Sequence, residues 1–76
     1  MTAPLLDYLN SEILAELGRR RLPQRALAEP LGISEPQVSE RLRGRIAWNI
    51  VELEIVARFL GLTISRLLPA DETAVA

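Results

Sequence analysis

The sequence contains no cysteine and no histidine. Without cysteine there is no disulfide, no thiolate nucleophile and no thiolate metal ligand. Without histidine the commonest general base is missing, and with it every Ser-His or Cys-His pairing. A glycine-rich phosphate loop is absent too, so only isolated carboxylates remain for catalysis. The chain is therefore expected to be no enzyme and to need neither metal nor cofactor. Apolar runs fall well short of the ~20 residues that span a bilayer, and no basic stretch precedes an apolar one at the N-terminus. A cytoplasmic protein without a membrane partner is the expectation, and a module this small leaves no room for a small-molecule ligand site.

What is present is a 76-residue chain, 49% hydrophobic, which suits one compact module. A chain of this size buries only about 60% of its unfolded surface, so its core is small. Lysine is missing as well: all nine basic residues are arginine, against ten acids, for a net charge of −1. The distribution matters more than the total. Residues 19–45 carry seven arginines (Arg19, Arg20, Arg21, Arg25, Arg41, Arg43, Arg45) against Glu29, Glu35 and Glu40, a local charge of +4, while the rest of the chain carries −5. Arginine suits bidentate contact with phosphate or guanine.

The periodicity predicts an all-α chain of five helices. The first is expected over residues 3–17, capped by Thr2, with Pro4 in its first turn and Gly18 as its stop. Leu5, Leu9, Ile13 and Leu17, with Leu6 and Leu14 beside them, form the expected buried face, and Asp7, Glu12 and Glu16 the others. A second helix is expected over 23–31 with Pro23 at its first position, Gly32 as its stop, and Pro30 kinking or shortening its last turn. Ser34 and Gln37 read as a capping box opening a third helix, 34–43, closed by Gly44 and apolar only at Val38 and Leu42. Asn49 and Glu52 offer a second capping box for a fourth helix ending at Leu60. Its apolar residues lie on opposite sides, with Ile50, Leu53, Val56, Ala57 and Leu60 on one and Val51, Ile55 and Phe59 on the other, so both sides need cover. A short final turn, 64–68, ends at Pro69. Residues 1–69 are expected to be the folded domain and 70–76 a disordered tail.

The second and third helices, joined through Gly32-Ile33-Ser34, form a helix-turn-helix signature. Ala28 is small where the helices cross, Gly32 permits positive φ, and Ile33, Val38 and Leu42 anchor the third helix so that its polar face projects outward. An α-helix so presented fits a DNA major groove. The stretch QRALAEPLGISEPQVSERLRGR resembles the helix-turn-helix of the Cro/C1-type (XRE) repressor family, and WNIVELEIVARFLGLTISRLL resembles that family's fourth and fifth helices. The likeness covers about residues 5–68 and departs at Pro30 and at the recognition-helix positions Glu35, Pro36 and Glu40, which in that family are often polar or basic.

The resemblance implies a compact five-helix, lambda-repressor-like domain acting at the nucleoid. It would be a sequence-specific double-stranded DNA-binding regulator, phage Cro-like or immunity-repressor-like, that occludes a palindromic operator. Carried onto this chain, Gln24 would hold a phosphate, Glu35, Pro36, Ser39 and Glu40 would face the groove, and Arg43 would reach flanking phosphates. Gln37 either caps its helix or reads adenine, and Arg41 either reads guanine or meets a phosphate. Arg45 and the amides near Asn49 suit a further phosphate. Arg25 and Ser34 complete the candidate DNA-binding set. Glu40 either accepts from cytosine N4 or pairs with a nearby arginine, and Trp48 either packs in the core or donates to a phosphate. For the second apolar stripe of the fourth helix, either the first helix and the final turn cover it or two copies pair there, through some of Phe59, Ile64, Leu67 and Leu68. The rival function is a protein-interaction module (an antirepressor or a regulator subunit), favoured by the acidic balance and the two glutamates on the presumed reading face.

Overall fold

The computed structural model describes residues 4–68, all of whose regular structure is helical. The Thr2 cap, the start at Ala3, the Pro69 stop and the 70–76 tail lie outside the described residues. Four α-helices follow one another: α1 (Pro4–Arg19), α2 (Ala28–Leu31), α3 (Glu35–Leu42) and α4 (Ile50–Phe59). One 3₁₀ turn, Gln24–Leu27, leads into α2, and another, Ile64–Leu67, takes the place of the expected fifth helix. Five α-helices are therefore not formed. The final segment closes with i→i−3 bonds from Arg66 N–H to the Thr63 carbonyl and from Leu68 N–H to the Ser65 carbonyl, and Leu68, which precedes a proline, is already extended at φ −101° and ψ 153°.

The core is a single cluster: Leu9, Ile13 and Leu17 from α1, Leu27, then Val38 and Leu42 from α3, Trp48, Leu53, Val56, Ala57 and Leu60 around α4, and Leu67. Leu67 is fully buried and so is not available to the expected dimer contact, while Ile50, Val51 and Phe59 of α4 stay exposed and Ile55 half-buried. The buried stripe of α1 is centred on Ile13 as expected, but its margins differ. Leu5 and Leu14 are exposed, whereas Asn10 and Glu16 are buried, Glu16 to 4% exposure. Both polar residues flank Ile13 and Leu17 on the helical wheel, so the core-facing side of α1 is broader and more polar than an every-fourth-residue count suggests.

Two helix ends differ from the sequence reading. The helix α1 runs through Gly18, and the left-handed residue is Arg21, at φ 54°. Arg21 N–H donates to the Gly18 carbonyl (3.0 Å) and Leu22 N–H to the Leu17 carbonyl (2.9 Å), the paired bonds of a Schellman ending. Ending there brings Leu22 onto the core. The second correction concerns Pro30. The last turn of α2 is regular, and the tightening lies before it, over Gln24–Leu27, with Pro23 outside as the cap residue. An α-helix would need Pro30 to donate to the Ala26 carbonyl; proline has no N–H and its ring crowds that carbonyl, so the preceding turn contracts.

Candidate nucleic-acid interface

The two halves of the helix-turn-helix meet where the sequence places them. Gly32 adopts φ 68°, and its N–H and that of Ile33 donate to carbonyls of α2. A Cβ there would touch nothing, so glycine is required by backbone conformation alone. Ser34 then opens α3: its Oγ accepts from Gln37 N–H (3.3 Å), and Gln37 Oε1 accepts from Ser34 N–H (2.9 Å). Only Val38 and Leu42 of α3 are buried. Each apolar side chain so buried contributes about 1.5–3 kcal/mol, enough to hold a short helix against the body with its other faces free.

The outward side of α3 carries Glu35, Pro36 and Gln37, all exposed, with Ser39 and Glu40 half-buried at its margin. Ser34 is exposed at the helix start, Gln24 and Arg25 are exposed on the preceding turn, and Arg43 and Arg45 extend past the helix end with side chains 62% and 64% exposed. Glu40 is not a free carboxylate: its Oε2 lies 3.2 Å from Arg45 Nη1 and 3.8 Å from Arg43 Nη1. The pairing offsets its charge while leaving both guanidinium groups with unused donors.

Three candidates are committed elsewhere. Arg41 donates from Nε and Nη2 to the two carboxylate oxygens of Glu52 (3.1 and 3.0 Å) and from Nη1 to the Gln37 carbonyl (3.1 Å). Its side chain is 13% exposed and that of Glu52 15%, so its guanidinium clamps α3 to α4. Asn49 is closed by the same glutamate: Asn49 Oδ1 accepts from Glu52 N–H (2.7 Å), and Glu52 Oε1 accepts from Asn49 N–H (3.1 Å). Burial alone would raise the Glu52 pKa, but hydrogen bonds from Arg41 and from Asn49 N–H, with the Arg41 charge, hold it below the ordinary carboxylate value of 4.5. Trp48 is a core residue. Its indole N–H donates to Asn10 Oδ1 (2.7 Å), which excludes a phosphate bond.

Two structural residues were not among the sequence candidates. Asn10 also donates through Nδ2 to the Arg41 carbonyl (3.0 Å), so one buried amide on α1 joins the end of α3 to the loop before α4. Glu16 takes up part of the basic run. Its oxygens contact Arg19 Nη1 (2.5 Å), Arg20 Nη1 and Arg66 Nη2 (3.6 Å). The hydrogen bond from Arg20 lowers its pKa below 4.5 against the opposing effect of desolvation, with help from the three arginine charges. Arg19 and Arg20 are therefore ion-pair partners within the fold. The signal for both residues was a polar side chain beside the apolar stripe of α1, where burial demands a partner.

The described helices include none long and apolar enough to cross a membrane. No curated protein matches the sequence. Among solved structures the chain is similar to a hypothetical transcription factor, NHTF, from Neisseria, with TM-score 0.78 and 22% identity over 93% of this chain and 82% of that one. It is also similar to the clp gene regulator ClgR from Corynebacterium glutamicum, with TM-score 0.76 and 28% identity over 84% and 69%. Both likenesses concern the fold and reach well beyond the two helices of the motif. Residues 9–76 match the family model described as BetR domain, and the chain accordingly belongs to the BetR domain family, a helix-turn-helix-like family of transcription regulators.

Proposed function

We propose that the chain is a sequence-specific double-stranded DNA-binding transcriptional regulator that inserts α3 into the major groove in the Cro/C1 manner and represses by occluding promoter DNA. The observation that carries this reading is the presentation of α3: two buried anchors, a polar outward face, and Arg43 and Arg45 extending from its end. Gln24, Arg25, Ser34, Arg43 and Arg45 are assigned to phosphates, and Glu35, Pro36, Gln37 and Ser39 to the groove. Gln37 keeps its amide donors for a base even while its oxygen closes the cap. Glu40 acts through its arginine partners, and Arg41 and Asn49 act as supports of the helix. Membership in a regulator family and the likeness to NHTF and ClgR support the reading. Two copies on a palindromic site complete it.

Selection of bound genomic fragments, followed by fluorescence anisotropy on the recovered duplex, tests the proposal. Binding should weaken steeply with salt, by roughly 0.9 log units per log unit of salt for each phosphate neutralised. Arg43→Ala should weaken binding on every sequence and lower that slope by about one. Absence of any duplex binding at low salt, together with recovery of a protein partner, would favour the protein-interaction module instead.

A further inference from the structure

We infer that Arg21 is a further DNA contact, which with Gln24 and Arg25 cradles consecutive phosphodiesters of one strand, an assignment that rests on the DNA-binding reading above. Among the described residues Arg21 is the one non-glycine with positive φ, at 54°. Every other left-handed position, at 32, 44 and 61, is held by glycine. Arg21 sits where the Schellman ending of α1 favours glycine, because a Cβ in that conformation crowds the following carbonyl. Strain kept where a less strained residue would serve points to a use for the side chain itself.

The fold makes no charge contact with that side chain. Arg19 and Arg20 both pair with Glu16, whereas Arg21 has no ion-pair partner among the described residues. Complementing the helix dipole does not require it either, since Arg19 already stands in the last turn of α1. Leu22 turns into the core, and its neighbours Arg21 and Pro23 are exposed, as are Gln24 and Arg25 after them. Arg25 also lacks an ion pair, although Glu29 lies four residues on. Residues 17–28 include no acid, so two unpaired guanidinium groups bracket Gln24 with no carboxylate between them. From Arg21 to Arg25 the chain spans at most ~14 Å. Phosphates of one strand recur at about 3.4 Å of duplex rise, so a segment of this reach can meet more than one. The planar fork of each arginine matches a phosphate in two bonds.

Fluorescence anisotropy of the full chain, on the recovered duplex and on a random duplex of equal length, tests the assignment. Arg21→Gly should melt about 2–8 °C higher, because the strain is gone. It should nevertheless bind both duplexes about fivefold more weakly, with a salt slope lower by about 0.9. Arg21→Asn, neutral and tolerant of the same φ, should lose the same slope, and Arg21→Lys should keep it. A role in the fold alone would leave the slope where it was. An unchanged slope in Arg21→Gly, beside a loss of about one in Arg43→Ala, would overturn the inference and leave the DNA-binding reading standing. So would a lower melting midpoint for Arg21→Gly, or a slope in Arg21→Lys as low as that of the glycine variant. Failure of the parent chain to bind either duplex at low salt would overturn both together.

Discussion

Replacing Asn10 tests how the helix-turn-helix is held to the rest of the molecule. The side chain is buried and makes two hydrogen bonds, accepting from the Trp48 indole and donating to the Arg41 carbonyl. Asn10→Ala removes both, but unequally. The Arg41 carbonyl still accepts from Gly44 N–H (3.0 Å), so it is not orphaned. The buried indole N–H is orphaned, and an unsatisfied buried donor costs about 1–3 kcal/mol. With the packing lost at the amide, the expected destabilisation is about 2–3 kcal/mol. A chain of this length has roughly 4–11 kcal/mol of stability in all, so the loss is a large fraction. Urea unfolding followed by far-UV circular dichroism reads it directly. Trp48→Phe, which removes the donor instead of the acceptor, closes a double-mutant cycle. Once Asn10 is gone, removing the indole should cost about 1 kcal/mol less than in the parent. A cost below about 0.5 kcal/mol for Asn10→Ala, or additivity within about 0.3 kcal/mol, would refute the assignment of this amide as a bridge.

Other outcomes follow from the same contacts. Arg21→Gly should raise stability by about 0.5–1 kcal/mol, because it relieves a left-handed arginine, and Gly18→Ala should do likewise by filling a helix-interior position with open space around it. If Gly18 were the true stop, the alanine would destabilise instead. Gly32→Ala should cost about 1 kcal/mol in the melting free energy with no change in core packing, since only the φ of 68° opposes it. Stability should also fall in acid. Glu16 and Glu52 both have folded pKa values below 4.5, so their contribution is present above the unfolded value and disappears as pH drops through the folded ones. The Tm should hold steady down to about pH 5 and then decline, with a shallower decline in Glu52→Gln; parallel acid limbs in the two proteins would contradict this.

Most of the fold was legible in the sequence because its signals act within a few residues. Both capping boxes formed as spaced, since a side chain and a backbone N–H three positions apart meet in any helix start. Val38 and Leu42 fixed the outward face of α3 by the same local geometry. The stop of α1 was misjudged because Gly18 satisfied the local rule, while the winning ending depended on Leu22 reaching the core. The fifth helix was misjudged because Thr63 makes no side-chain cap bond and Leu68, before a proline, is extended, which leaves room for one 3₁₀ turn.

The amino-acid order by itself therefore determined an all-helical chain, the helix-turn-helix and the arginines at its edge. Tertiary structure alone decided which polar groups stay free. It drew Arg41 to Glu52 eleven positions away, Asn10 to Trp48 thirty-eight away, and Arg66 to Glu12 fifty-four away. It also left the second side of α4 uncovered. Helical periodicity says which way a side chain points, but whether anything meets it there depends on packing between segments distant in the chain, which no local spacing encodes.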